Sequence, residues 1–462
     1  MKTLLDRARG SSLTVLVSGR DPVGTVTLLH PHIRQIADLE FSKNRWADVR
    51  KFSEISSGPL PLLRTLNIDA SQEIDLPDGP LFSGAVGLKE LRLSLSRLPP
   101  LNYFVFPNLT SFDLSVIIAM GDSIRSSQLL DFLEASPTLR AVRMKIIGSI
   151  SLEGIPQERV VVLHNIESLC LVARDGGAGY KLATHISCPS AKNTSLTYAQ
   201  KQEFYSDIPP EIFPASDSLN TIIRQYTRGP IEELTFETKT NSGYFTACSL
   251  TLRSADATVV RLCFEVAGGG GDSTDPLWNK PPMYCGILTA AAKTIRDLRP
   301  LSNIKRIHIC GPPDLETEWI AYTANEIGAL LKSLGPLEEL TISSCDMRSY
   351  FFPFLYHQRI IVLKKPVAYP PIRALTISNP LNMSGGDIGM GLVKLAKAQY
   401  ELGMSFGRVT VRMNHPPVRA IEGGLKSWVG TVDCRTPYEA YLESDITWIC
   451  RLNKCIGVRV VR

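Results

Sequence analysis

Two histidines flank a proline at His30–Pro31–His32, a spacing that could seat a metal ion. A structural metal site needs further ligands close by. No carboxylate or further histidine lies near this pair, so the segment reads as a loop or strand entry whose backbone Pro31 fixes. His164, His185, His308, His357 and His415 are dispersed, and no Gly-x-Ser-x-Gly elbow exists to pair with any of them. Gly268–Gly271 follow the strand-like VRLCFEVA, but no Gly-Lys-Ser/Thr completes a phosphate loop, and Pro276 and Trp278 stand where its helix would begin. That stretch reads as a polar loop. Gly389–Met390–Gly391 lies between strand-like ALTISNP and helix-like LVKLAKAQY, the order of a dinucleotide site, yet Lys394 takes the place of the third glycine. An enzyme binding a nucleotide or small molecule near residues 380–395, or in the 268–283 loop, is therefore the alternative to a chain without catalysis. The ten cysteines are scattered with no CxxC pair, so no zinc site is expected, and several sit in apolar strand patterns as small core residues.

The elements that would position such residues come from a repeat. One compact core rarely grows past about 250–300 residues, so 462 residues imply several domains or a core that grows sideways. Charged residues make up 21% and hydrophobic ones 44%, ordinary for a folded chain, and a net charge of +5 gives no case for a nucleic-acid partner. No run of about 18 apolar residues offers a membrane span. The opening MKTLLDRARGSS lacks an apolar signal core. With unpaired cysteines, this points to an intracellular protein.

A phrase recurs in which an apolar residue is followed by two residues, an apolar one, one residue and an apolar one. It reads Ile36–Leu39–Phe41, Leu63–Leu66–Ile68, Leu88–Leu91–Leu93, Leu109–Phe112–Leu114, Leu139–Val142–Met144 and Ile166–Leu169–Leu171. It weakens at Ala191–Thr194–Leu196 and returns at Ile231–Leu234–Phe236, Ile304–Ile307–Ile309, Leu337–Leu340–Ile342, Ile372–Leu375–Ile377 and Phe406–Val409–Val411. In the first half the spacing is 21–30 residues, in keeping with the LxxLxL unit of leucine-rich repeats. The last two apolar residues, at period two, put one side of a short strand into a core that no unit can close alone. Between strands, QLLDFLEA presents Leu129, Leu130 and Leu133 on one helical face. TANEIGALLKSL has capping-box spacing at Thr323 and Glu326 and ends at Gly335–Pro336.

The expected fold is an α/β leucine-rich-repeat solenoid, a curved parallel sheet inside and helices outside. Coils occupy 1–236 and 301–462, the latter with a cap. Between them, 237–300 reads as an inserted hairpin, YFTACSLTLRS and TVVRLCFEV joined by ADA, followed by the Gly/Pro loop. The functional surface expected is the concave strand face. Its candidates alternate with the core positions: Asn67, Asp69, Glu90, Arg92, Asp113, Arg143, Lys145, His308, Thr341 and Arg412. Concave solenoid faces are binding surfaces, so partner proteins are expected there. No cofactor, metal, nucleic acid or membrane is expected, and the chain reads as a monomer.

With the repeats in view, LHPHIRQIADLEF, FPNLTSFDLS, LLDFLEASPTLRAV, VVLHNIESLCL, ATHISCPSAKNTSL and IPPEIFPASDSLNTIIRQYTRGPIEELT carry a resemblance. Within residues 25–240 the chain resembles the repeat region of F-box-like proteins of mushroom-forming fungi. The resemblance implies substrate-holding repeats of a ubiquitin-ligase receptor. The family's N-terminal F-box, which binds the ligase adaptor, needs some 40–50 residues of helix. Here SSLTVLVS, a repeat strand, begins after about a dozen, so adaptor binding is expected only if an F-box is encoded upstream.

Overall fold

The computed structural model describes residues 12–18, 29–42, 46–55, 58–70, 81–104, 106–118, 123–173, 176–201, 216–227, 229–241, 245–267, 303–310, 334–343, 371–378, 385–401, 403–412 and 418–435. The helix read over 323–334, the glycine-rich loop at 268–283, the C-terminal cap, His357 and His415 lie outside these residues.

The chain is mixed α/β, with two compact units. In the first, the strands in chain order are β1 (Leu13–Ser18), β2 (Ile36–Ser42), β3 (Thr65–Ala70), β4 (Glu90–Leu95), β5 (Ser111–Ile117), β6 (Ser123–Arg125), β7 (Ala141–Ile147), β8 (Ser149–Ser151), β9 (Val161–Val162), β10 (Ser168–Ala173), β11 (Ile186–Ser187) and β12 (Asn193–Lys201). The later strands are β13 (Ile231–Asn241), β14 (Phe245–Ser254), β15 (Val259–Ala267), β16 (Arg306–Cys310), β17 (Leu337–Ser343), β18 (Ile372–Ser378), β19 (Arg408–Arg412) and β20 (Thr431–Arg435). The helices are α1 (Trp46–Ile55), α2 (Ser126–Glu134), α3 (Gly176–Thr184), α4 (Ser216–Tyr226), α5 (Gly385–Glu401) and α6 (Val418–Leu425).

The first unit carries the parallel order β1-β2-β3-β4-β5-β7-β10-β12-β15, and the second β14-β13-β16-β17-β18-β19-β20, in which only β13–β14 is antiparallel. Neither closes into a barrel. Pairs β6–β8 and β9–β11 form small parallel ladders of their own.

The LxL positions explain why these segments are strands and why they pair in this register. Leu39, Leu66, Leu91, Phe112, Val142, Leu169, Thr194 and Val260 face one another in a single inner row, each at most 2% exposed. Phe41, Ile68, Leu93, Leu114, Met144, Leu171, Leu196 and Leu262 form the next. Full burial of each such side chain contributes about 1.5–3 kcal/mol. A one-residue slip would turn every one of them outward, which fixes the register.

In four phrases the leading apolar residue sits in a repeated turn before its strand. The amide of Leu63, Leu88, Leu109 and Leu139 donates to the carbonyl three residues earlier, and all four side chains are buried. The next amide reaches the neighbouring strand or its entry: Arg64 to Ala37, Lys89 to Arg64, Thr110 to Lys89, Arg140 to Thr110 and Glu167 to Arg140. Side chains in the same turns tie coil to coil, as in Asn108 Nδ2 to the Val86 carbonyl at 2.8 Å and Asn165 Nδ2 to that of Pro137 at 2.9 Å.

Connecting segments close the other side of the core. Leu129, Leu130 and Leu133 of α2 are buried as their spacing requires, and Phe132 packs on Phe112 at 4.4 Å. Phe41, Phe52 and Phe82 form an aromatic triad with centroids 5.3–6.2 Å apart. Phe82 takes a positive φ of 54°, rare for a bulky residue, held by burial and by its amide donating to Ser53 Oγ at 2.9 Å. The C-terminal carbonyls of α3, which lack partners inside the helix, accept from α4: Tyr226 Oη to Ala183 at 3.0 Å and Gln225 Nε2 to Thr184 at 2.7 Å.

The runs read as a hairpin are both built into sheet. Phe245–Ser254 runs antiparallel to Ile231–Asn241, while Val259–Ala267 runs parallel to Asn193–Lys201. The strand beside β12 is therefore β15, not the next repeat phrase in sequence. Val260 and Leu262 continue the two inner rows, so the position is decided by core complementarity and not by chain order.

Candidate outward strand faces

Because side chains alternate along a strand, the residues between the inner rows of the first unit face outward in rows of their own. The central row places Glu40, Asn67, Arg92, Asp113, Arg143, Cys170, Ser195 and Arg261 in register. Four sequence candidates, Asn67, Arg92, Asp113 and Arg143, are thus consecutive, with neighbours about 4.8 Å apart along the ladder. On one side run Asp38, Thr65, Glu90 and Ser111. On the other, Asp69, Ser94, Ser115, Lys145 and Val172 follow one another. All seven candidates of this half lie in three adjacent rows of one face.

Arg92, Arg143 and Lys145 are exposed, and Asn67, Asp69, Glu90 and Asp113 half-buried. Arg92 Nη2 lies 3.4 Å from Glu90 Oε2, and Thr14 Oγ1 donates to Asp38 Oδ2 at 3.0 Å. The Cys170 thiol, next to Arg143 in the row, titrates above its ordinary value. Partial burial raises it, Arg143 pulls it down, and Asp113 and Cys263 push it up. It is not poised as a nucleophile.

The second unit repeats the inner pattern with Leu234, Ile307, Leu340, Leu375, Val409 and Val432 in one row. Its central outward row is Thr235, His308, Thr341, Thr376, Thr410 and Asp433, which unites candidates His308 and Thr341. Arg412 stands in the next row, after Glu237, Cys310, Ser343 and Ser378. These groups satisfy one another. Thr341 and Thr376 each donate to Glu339 Oε1 at 3.3 Å, and His308 Nε2 lies 2.7 Å from Ser343 Oγ. Thr410 is only 7% exposed. At the strand entries, Lys305 Nζ meets Glu232 Oε1 at 2.7 Å, and Glu233 lies 3.5 Å from Arg306 and 3.8 Å from Arg253.

The other chemistry-bearing motifs resolve into packing. Gly389 and Gly391 lie inside α5, which begins at Gly385, and not in a strand-to-helix loop. A Cβ on Gly389 would come within 2.6 Å of Ile421 Cγ1 on α6, so close helix approach accounts for that glycine. His30 and His32 lie in a 3-10 turn entered through Pro31, with His32 buried. His185 Nδ1 bonds the Arg159 carbonyl at 2.7 Å. Among the described residues no His/Cys/Asp/Glu group has metal-binding geometry, and no helix is long and apolar enough to cross a membrane.

Sequence reasoning missed Asp38, Glu40 and Arg261 as members of the first face. Asp38 and Glu40 flank Leu39 in a phrase already identified. Arg261 was hidden because β15 was read as part of an insertion, although Val260 and Leu262 on either side carry the same alternation. Comparison of the chain with models of known protein families and with curated proteins finds no match for either.

Proposed function

We propose that the protein is a non-enzymatic scaffold of leucine-rich-repeat type that holds a partner protein on the outward strand face of its first unit. One observation carries this reading. Asn67, Arg92, Asp113 and Arg143 stand consecutively in register, with three of the four charged and both arginines exposed. Long charged side chains aligned across neighbouring strands add little to sheet stability, whereas a rigid row of them can recognise a complementary surface. The arrangement resembles the substrate-holding repeats of F-box receptors. The protein would act as an intracellular monomer, without cofactor, nucleic acid or membrane.

The test is quantitative affinity purification of the tagged chain and of the Arg92→Glu/Arg143→Glu/Lys145→Glu variant. The wild type should retain one or a few proteins that the variant loses, with circular dichroism unchanged. Retention of every partner by the folded variant would show that this face is not the binding surface.

A further inference from the structure

Position by position, the charges on the first unit's outward rows are not mixed but separated. Strands β2–β5 present Asp38, Glu40, Asp69, Glu90 and Asp113, and their one cation, Arg92, lies 3.4 Å from Glu90. From β7 onward the order inverts. Arg143 and Lys145 on β7 and Arg261 on β15 are cationic, and among the described side chains of these rows no carboxylate follows. The step falls between β5 and β7, where Asp113 faces Arg143.

From β2 to β7 there are four interstrand steps, roughly 19 Å at 4.8 Å each. That exceeds the Debye length of about 8 Å at physiological ionic strength. Asp113 and Arg143, one step of about 4.8 Å apart, offset each other at the boundary. Asp38 and Glu40 on β2, by contrast, lie beyond screening distance of Lys145 on β7 and do not cancel it at a bound ligand, so β2 and β7 act as separate poles. A ligand of one sign gains at one pole and is repelled at the other, and one with alternating charges averages to nothing at both. The ligand that gains at both has its charges in blocks. Crossing the poles takes about six extended residues at 3.3 Å each.

Resting on the reading of this face as the binding surface, we infer that its partner presents an extended segment with a basic block and an acidic block, the basic block lying over β2–β5 and the acidic block over β7–β15.

The full chain can be titrated by fluorescence anisotropy at physiological ionic strength with four synthetic peptides. One has a lysine block, a Gly-Gly spacer and a glutamate block; the second has the same composition with lysine and glutamate alternating; the others are all-lysine and all-glutamate. The block peptide should bind at least about tenfold more tightly than the alternating one, because only block order differs. Arg143→Gln/Lys145→Gln should erase that preference and favour the all-lysine peptide. Asp38→Asn/Glu40→Gln should shift preference toward all-glutamate. Equal binding of block and alternating peptides, tighter binding of a single-sign peptide to the wild type, or no binding of any peptide would each overturn the charge-block assignment. The affinity purification above judges the face itself. A partner lost on charge reversal, with no preference for block peptides, would leave the scaffold reading standing and remove only this one.

Discussion

The two units share an inner side and differ in their outer one. Both line their strands' inner rows with Leu, Ile, Val and Phe at the same two positions of the phrase. Outward, the first unit presents exposed arginine, lysine and carboxylates. The second presents a central row of threonines, of which Thr341 and Thr376 donate to Glu339, with a histidine–serine pair beside them. Exposed Arg306, Arg408 and Arg412 stand in its flanking rows. Threonine is suited to a pleated, half-buried surface, and the hydroxyls of Thr341 and Thr376 are consumed within the sheet. The difference teaches that core positions fix the backbone and leave the intervening ones free for other uses. In the second unit the central positions Thr341 and Thr376 are spent on the sheet itself. In the first, Arg92, Arg143 and Lys145 stay exposed.

If the inner sides are equivalent, equal damage should follow equal truncation. Leu91→Ala and Leu340→Ala occupy matching positions, each no more than 0% exposed. Each should cost about 2–5 kcal/mol, from lost transfer energy plus the cavity left. Urea unfolding measures both; a cost below about 1 kcal/mol in one unit alone would end the equivalence.

The outer sides should part under one substitution. Thr410→Asp would bury a carboxylate beside Asp433, its register neighbour, and should cost about 2–4 kcal/mol. Ser115→Asp sits next to Lys145 on the half-buried face and should stay within about 0.5 kcal/mol of wild type. Urea midpoints of the two variants give the contrast directly. Similar losses at both sites would mean that the two faces are equally closed.

How much of this was legible in sequence follows from the same division. LxxLxL is written in residues whose burial is obligatory, so β2 to β5, β7, β10 and β16 to β19 could be placed from the text. Thr194 was the weak link, since a polar residue in the inner row does not advertise burial, yet it is 2% exposed between Leu169 and Val260. The place of β15 was not legible, because strand order is a tertiary outcome and nothing local to Val259–Ala267 names β12 as its neighbour. The outward residues were legible as a set but not as rows. Coils 21 to 30 residues long hide which side chain faces which until the pairing is known. Hence the candidates were identified while the charge step between β5 and β7 was not.

One buried and one half-buried thiol extend the comparison of the units to pH. In the first unit burial pushes Cys188 up to about 12, and in the second burial, with Glu422 and Asp433 nearby, pushes Cys434 up to about 11. Each folded value lies above the ordinary thiol value of 9.0, so the unfolded chain releases these protons first. The stability they confer is complete below pH 9 and is lost as pH rises toward 11 for Cys434 and 12 for Cys188. At pH 10 the Cys188 thiol should have cost about 1 kcal/mol, and the half-exposed Cys434 less, because water screens its charge. Cys188→Ala and Cys434→Ala should each flatten the decline of the urea midpoint between pH 8.5 and 10. An unchanged slope in Cys188→Ala would place that thiol in contact with solvent.

The smallest effect tests whether the second unit's outward groups are structural. Thr376→Val keeps the shape of the side chain and removes one hydroxyl bond to Glu339. Thr341 remains as a donor, so the carboxylate keeps a partner and the loss should be about 0.5–1 kcal/mol. Arg92→Met in the first unit removes an exposed charge whose 3.4 Å pairing with Glu90 is screened by water, and stability should move by less than about 0.5 kcal/mol. Both can be read as melting temperatures in one buffer, where a domain of this size shifts by a few degrees per kcal/mol. Raising the salt should then leave the difference between Thr376→Val and wild type intact, because neutral donors are little screened, and shrink whatever Arg92→Met shows. A larger loss from Arg92→Met than from Thr376→Val would reverse the assignment, making the charged face the one that holds its sheet together and the threonine row the one left for a partner.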